Sequence, residues 1–312
     1  MTGPLFMMRF RSLLLLLLLL PITKVWAGNG LIEDIDAHED LIAVVYSKDG
    51  LKQLVVYRDS RVLWSSAKYR YLEYNWSSRG ALAVRLCDGP CYNMNRQMVQ
   101  VFDPLSMVSW NSSEGRLARF WWSSSGKLAV VIWKSPCGDY SEHWIEVYDP
   151  ITGRTSRSEK KGYLYVIWSP DGRLLAATVK GDRGYYVEVL DSRLNKLWSS
   201  YEAGIADFKW SKDGKLAVRL QENGTQWIEA YVRGTTWRSE RAKEVRYDWT
   251  EDGRLVYSLN GELRMEGFLT PDLIFLLIAV VILLIIAVVS VKLVNRRVGI
   301  SCPEEGGVEL PC

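Results

Sequence analysis

An all-β fold, built as a ring of repeated four-stranded sheets, is what this 312-residue sequence predicts between its two apolar ends. Three observations carry it. A tryptophan-centred segment recurs about every 40 residues, a second tryptophan stands at a fixed distance before it, and no helix-period pattern interrupts them.

The segment reads NWSSRGALAV at 75–84, WWSSSGKLAV at 121–130, IWSPDGRLLA at 167–176, KWSKDGKLAV at 209–218 and DWTEDGRLVY at 248–257. In each copy a tryptophan stands six residues before a leucine: Trp76/Leu82, Trp122/Leu128, Trp168/Leu174, Trp210/Leu216 and Trp249/Leu255. A degenerate sixth copy, IDAHEDLIAV, sets Ile35 and Leu41 in the same relation, so the anchors fall 41, 46, 46, 42 and 39 residues apart. Trp64, Trp110, Trp198 and Trp237 each precede an anchor by 12 residues, with Ser156 in that place in the third unit. Between the two marks lie β-favouring runs such as VQVFDPLS and IEVYDPITG, each closed by turn-forming residues.

Each unit therefore reads as four short strands. The W-S-x-D-G stretch is a tight turn, because glycine supplies positive φ and Asp or Ser can bond its own backbone. Asp171, Asp213 and Asp252 hold the same turn position in successive units, which marks them as structural. The LAV run after the turn is continuously apolar, as a strand buried on both faces requires. Four-stranded sheets repeated at this period, with aromatics stacked between them, predict a six-bladed β-propeller over residues 31–268. A β-sandwich competes but does not require a strict period. The last unit has room for three strands, near Val245–Trp249, Leu255–Leu259 and Leu263–Phe268, so ring closure is expected to rest on packing between first and last blades.

At WSPDGRLLA and the following V-x-V-x-D element, the chain resembles the repeats of TolB-type and WD-repeat-like propellers. The resemblance spans roughly residues 32–268. It implies the fold and says little of activity, since such scaffolds host many functions. The terminal tryptophan-aspartate pair of true WD repeats is absent.

The ends predict a single-pass membrane protein. Arg9 and Arg11 precede the leucine run Leu13–Leu20, and Val25-Trp26-Ala27 closes the segment, so residues 1–27 read as a signal peptide cut after Ala27. Residues 273–291 carry no charge and span about 28 Å as a helix, enough to cross a bilayer. Lys292, Arg296 and Arg297 follow at once, which places the tail, 292–312, in the cytoplasm and the propeller outside. That tail, with Cys302 and Cys312, is too short and polar to fold. The cell membrane is the expected location.

Chemistry is harder to find. The net charge of +3 shows no basic stripe for nucleic acid, and no nucleophile elbow, zinc-protease motif, P-loop or dinucleotide fingerprint occurs. No catalytic residue, metal or cofactor is therefore assigned. Cys87 and Cys91 frame a loop after the second strand of unit two; Cys137 lies in the matching loop of unit three, and His143 follows shortly after at the start of a middle strand. A Cys87–Cys91 disulfide suits an exported domain and leaves Cys137 over. A zinc site of Cys87, Cys91, Cys137 and His143 is the competing reading. These two loops lengthen their units, and extra length on a rigid scaffold is where binding residues concentrate. Tyr92, Trp133, Cys137, Tyr140, His143 and Trp144 are thus the candidate partner-binding residues. Asn75, Asn111 and Asn223 head candidate glycosylation sequons. The function expected is a non-enzymatic, membrane-tethered interaction module binding a protein or glycan of the cell envelope. The alternative is a hydrolase or lyase with a carboxylate site in the central channel.

Overall fold

Six antiparallel sheets follow one another along the chain, each built from consecutive strands in simple up-and-down order. The computed structural model describes residues 30–135, 139–232, 234–268 and 279–290. Sheet 1 holds β1 (Leu31–His38), β2 (Leu41–Lys48), β3 (Leu51–Arg58) and β4 (Arg61–Ser65). Sheet 2 holds β5 (Tyr71–Trp76), β6 (Leu82–Cys87), β7 (Gln97–Asp103) and β8 (Val108–Asn111). Sheet 3 holds β9 (Leu117–Trp122), β10 (Leu128–Trp133), β11 (His143–Asp149) and β12 (Arg154–Arg157). Sheet 4 holds β13 (Gly162–Trp168), β14 (Leu174–Lys180), β15 (Tyr185–Asp191) and β16 (Lys196–Ser199). Sheet 5 holds β17 (Ile205–Trp210), β18 (Leu216–Glu222), β19 (Thr225–Val232) and β20 (Thr235–Arg238). Sheet 6 has three strands, β21 (Val245–Trp249), β22 (Leu255–Leu259) and β23 (Glu262–Glu266).

The repeated turn explains why the segment recurs. Gly80, Gly126, Gly172, Gly214 and Gly253 all sit at φ between +68° and +82°, a region other residues adopt only under strain. Asp171 accepts from Ser169 Oγ at 2.6 Å and from Arg173 N at 3.1 Å, and Asp213 accepts from Ser211 Oγ at 2.6 Å. These aspartates hold the turn. The turns also touch: Ser124 Oγ donates to Pro170 O at 2.7 Å, and Lys215 Nζ to Gly253 O at 2.8 Å.

Packing between sheets comes from both faces of each second strand. Leu82, Val84 and Leu86 join a cluster with sheet 1, whereas Ala83 joins sheet 3 through Val99 and Val101. Similar clusters join sheets 3 and 4, 4 and 5, and 5 and 6. The anchor indoles add a ladder. Trp122, Trp168, Trp210 and Trp249 donate Nε1–H to the carbonyls of Asn75, Trp121, Ile167 and Lys209, each just before the preceding anchor. Neighbouring first strands therefore run side by side around the centre of the ring.

Two expectations need correction. Among the described residues no hydrophobic cluster joins sheets 6 and 1; the apolar set on the outer side of sheet 1 (Val44, Val55 and Tyr57, with Ile42 and Tyr46) forms its own small group. Closure by first-to-last blade packing is thus not what the described residues show. Nor is Ile35 the counterpart of the anchor tryptophans. β1 pairs Ala37 with Ile42 and His38 with Leu41, because a two-residue turn, Glu39 and Asp40, replaces the longer turn elsewhere. His38 instead stacks on Trp76, with ring centroids 5.5 Å apart.

The leader at 1–27, Cys137 and the tail at 292–312 lie outside the described residues. Residues 279–290, within the expected span, form a helix whose large apolar side chains are exposed. Among the described residues no helix is long and apolar enough to cross a membrane; positions 273–278 and 291 lie outside them.

Candidate functional site

The loop joining β6 to β7 is locked from within. The sulfurs of Cys87 and Cys91 are bonded, with their Cα atoms 5.5 Å apart. Asn95 Nδ2 donates to Pro90 O at 2.9 Å and Asn93 O at 3.0 Å. Gln97, fully buried, donates through Nε2 to Cys91 O at 3.1 Å and Asn93 O at 2.8 Å. Its Oε1 accepts from Ala118 N of sheet 3 at 3.1 Å, so one glutamine fixes the loop to two sheets. With its thiols bonded to one another, this loop has no thiolate for zinc. Among the described residues no group of three or more His, Cys, Asp or Glu could hold a metal.

Tyr92 projects from this locked loop, 80% exposed. With Cys91 it overhangs a groove of about 480 Å³ lined by Glu73, Asn75, Arg85, Arg119 and Trp121. Arg85 is committed: it pairs with Glu73 and donates Nη1–H to Ala118 O at 3.0 Å. Arg119 is exposed, its guanidinium 5.9 Å from the centre of the Trp133 ring. A second groove, about 430 Å³, lies between the two long loops, where Met94, Asn95 and Arg96 face Lys134 across Glu114 and Arg116. Arg96 binds Glu114, and that hydrogen bond holds the Glu114 carboxyl below its usual range. The loops of sheets 2 and 3 thus do share one face, as their matching positions require.

The residues expected in the sheet 3 loop divide. Trp133 stacks on His143 at 4.8 Å, and Tyr140 meets the same imidazole edge-on at 5.4 Å. His143 is buried, with Nδ1 3.1 Å from Tyr163 O, so Nδ1 carries the proton and donates. Burial lowers its pKa and keeps the ring neutral. Trp144 is 1% exposed, with its indole N–H donating to Glu146 Oε1 at 3.0 Å. Both are supports beneath the surface rather than parts of it. Of the sequon residues, Asn111 and Asn223 are exposed on β8 and on the β18–β19 turn, while Asn75 faces the groove.

A third groove, about 640 Å³, runs along the first strands of sheets 1 and 2 and carries Glu33, Asp34, Asp36 and Glu73 beside Lys52. Its carboxylates are mostly occupied. Glu33 pairs with Lys52, whose hydrogen bond lowers the Glu33 pKa; Asp34 accepts from Tyr74 Oη at 2.8 Å; Glu73 holds Arg85.

Sequence reasoning missed a set of repeated polar clips. Gln100, Glu146 and Glu229, at equivalent third-strand positions, reach back to the backbone N–H of Ala67, Ser113 and Tyr201 at 2.9, 3.1 and 3.0 Å. Glu188, at the same position, takes Tyr163 Oη and Lys161 instead. Ser66, Ser112, Ser158, Ser200 and Ser239, each two residues after the outer-strand mark, accept from a third-strand N–H. The signal was present as a serine at fixed offset and a polar residue inside V-x-V.

No family model matches the chain, and no curated protein does. Among solved structures it is similar to a eukaryotic initiation factor (12% identity, 79% of this chain and 66% of that one, TM-score 0.45). It is also similar to a Pyrococcus horikoshii acylaminoacyl peptidase (14%, 60% and 35%, TM-score 0.40). A third is the β-propeller domain of the Trilobed protease from Pyrococcus furiosus (15%, 77% and 85%, TM-score 0.34). The chain spans about two thirds of the first and about a third of the second. The propeller assignment stands on this chain's own six sheets.

Proposed function

We propose that this chain is an exported, membrane-tethered β-propeller that docks a protein or glycan partner of the cell envelope on the loop face of sheets 2 and 3. One observation carries the reading: Tyr92 stands exposed on a loop that a disulfide and the buried Gln97 hold rigid, and it lines a groove with the exposed Arg119. A rigid, pre-ordered aromatic loses little entropy on binding, which is what favours Tyr at recognition surfaces. The cationic rim from Arg96, Arg116 and Lys134 suits a partner with carboxylates. The leader and the apolar segment at 273–291 support export and tethering, and the TolB-type phrase supports a binding scaffold. A photo-crosslinking residue at position 92 should capture the partner in intact membranes. The same probe at Ile151, on an exposed turn at the opposite end of the strands, should not. Equal capture at both would sink this reading.

The acidic groove supports a second reading, a hydrolase or lyase acting at Asp36 and Glu73 in the ring centre. Asp36→Asn, outside the Tyr92 groove, would then abolish turnover of an added polysaccharide or peptide library while leaving capture at position 92 intact.

A further inference from the structure

We infer, resting on the tethered reading above, that the turn face of the ring lies on the bilayer. Leu105, Met107 and Ile151 of sheets 2 and 3 are seated among the lipid headgroups there as a second membrane contact. Antiparallel up-and-down order gathers two sets of turns at one end of the strands, those joining first to second and third to fourth strands. The loop bridged by Cys87 and Cys91 stands at the other end.

The chain leaves the ring on the turn face. β23 ends with Glu266 opposite Leu255, the first residue after the repeated turn of sheet 6. Phe268 is held there, its ring 6.1 Å from that of Trp249 and 5.9 Å from that of Trp237. Lys215 Nζ, which donates to Gly253 O of the turn, stands 5.9 Å from the centre of the Phe268 ring. Four residues separate Phe268 from the apolar segment at 273–291. Even fully extended they carry the chain about 17 Å, and headgroups fill about 5–8 Å of that. At sheet 6 the turn face therefore cannot stand clear of the bilayer.

What the other side of the ring offers decides how that face sits. The third-to-fourth turns of sheets 2 and 3 end in bare aliphatic tips: Leu105 is 78% exposed, Met107 56% and Ile151 64%. The matching turns carry Asp59 and Ser60 in sheet 1 and Gly234 in sheet 5, while Leu194 of sheet 4 packs against a core cluster. The tips are held in place from within. Asp103 accepts from Leu105 N at 3.1 Å and Ser106 Oγ at 2.6 Å, and Asp149 accepts from Ile151 N at 3.0 Å. With these groups satisfied, the tips can enter a layer poor in water without leaving the donors bare. Met107 adds an independent sign. It sits at φ +57°, where the equivalent residue of sheet 3 is Gly153 at +67°. Glycine takes that conformation freely, and methionine only under strain. A strained apolar side chain facing water gains by burial in lipid. Arg154, exposed at the start of β12, is placed to meet lipid phosphate. Sheet 3 is three places from sheet 6 in a ring of six, so tether and tips hold opposite sides. The ring lies flat, and the Tyr92 loop faces away from the membrane.

In a background of Cys137→Ser, Cys302→Ser and Cys312→Ser, the full chain is given one further cysteine: Leu105→Cys, Ile151→Cys or, at the loop end, Asn223→Cys. Each variant is labelled with a small fluorophore and reconstituted in phosphatidylcholine vesicles. Quenching is read with nitroxide-bearing acyl chains in the bilayer and with acrylamide in the water. Labels at 105 and 151 are expected to be quenched by the lipid nitroxide and several-fold less by acrylamide than the label at 223. Equal acrylamide quenching at all three, in chain that resists alkaline carbonate extraction, overturns this inference and leaves the tether standing. Chain that carbonate strips from the vesicles overturns the tether and this inference together. A label at Met107→Cys should lose its lipid quenching when Leu105→Asp and Ile151→Asp are added, with carbonate resistance unchanged. Lipid quenching that persists there contradicts a contact made by these tips.

Discussion

Sheets 2 and 5 are the same scaffold with different loops. In sheet 2, Arg85 pairs with Glu73 and donates to Ala118 O, while Ala118 N donates to Gln97. In sheet 5, Arg219 pairs with Asp207 and donates to Val245 O at 3.2 Å, while Val245 N donates to Gln226 at 3.0 Å. Each clip grips the first strand of the following sheet by both backbone groups. The difference is how the glutamine uses its amide. Gln226 spends Nε2 on Gln221 at 2.9 Å, beside a two-residue turn at Asn223 and Gly224, both at positive φ. Gln97 spends it on the Cys91 loop. One repeat position therefore closes a hairpin in sheet 5 and holds the disulfide-bridged loop in sheet 2, without altering the core beneath.

If that comparison is right, removing shared scaffold must hurt most. Trp227→Ala and Trp144→Ala, at equivalent buried positions, should each cost about 3–5 kcal/mol in chemical denaturation. A large gap between them would mean that sheets 3 and 5 are not equivalent. Opening the Cys87–Cys91 bridge with paired serines closes no long chain loop, so it should cost about 2 kcal/mol and leave the core intact. Arg85→Met should cost more than Arg219→Met, since the Arg85 side chain is 11% exposed and that of Arg219 34%. The difference should be about 1 kcal/mol, the scale of a charged hydrogen bond in two degrees of burial. Asp171→Ala loses an exposed turn bond and should cost about 1 kcal/mol or less.

The smallest effect is a pH dependence confined to sheet 3. Burial lowers the His143 pKa, so the unfolded chain binds the proton more readily than the folded one. The stability this histidine contributes is complete above about pH 6.5, its unfolded value, and is lost as pH falls below that. Melting temperatures between pH 7 and pH 5 should fall more steeply for the native chain than for His143→Gln. Identical slopes would contradict a neutral, buried imidazole.

The fold was legible because its period is written in large residues. Tryptophans at two repeat positions and glycines at the turn cannot drift without loss of core or of backbone conformation, so both remain visible. The three strands of sheet 6 were legible from length alone. In sheet 1 Ile35 pairs with Val44, not at the place of an anchor, since the sheet has no anchor tryptophan and a shorter turn; Ile35 matched the spacing by coincidence. Trp144 and Trp227 stand at neither of the two tryptophan positions that mark the repeat. They are a third repeat position, shared with Met98 and Tyr186, where the side-chain type varies and burial ranges from complete at the two tryptophans to partial at the other two. Gln97 could not be picked out, because its role depends on a loop and a neighbouring sheet that are distant in the chain.

On the proposed function, the loops of sheets 2 and 3 are additions for docking on a scaffold that does not need them. Residues 88–96 and 134–142 are replaced by an Asn-Gly turn like that of sheet 5, with Cys87 changed to Ser, and two quantities are measured on the same protein: cooperative melting and partner crosslinking in intact membranes. A single cooperative transition within a few degrees of the native chain and a loss of crosslinked partner are expected. A folded variant that captures its partner undiminished would contradict it.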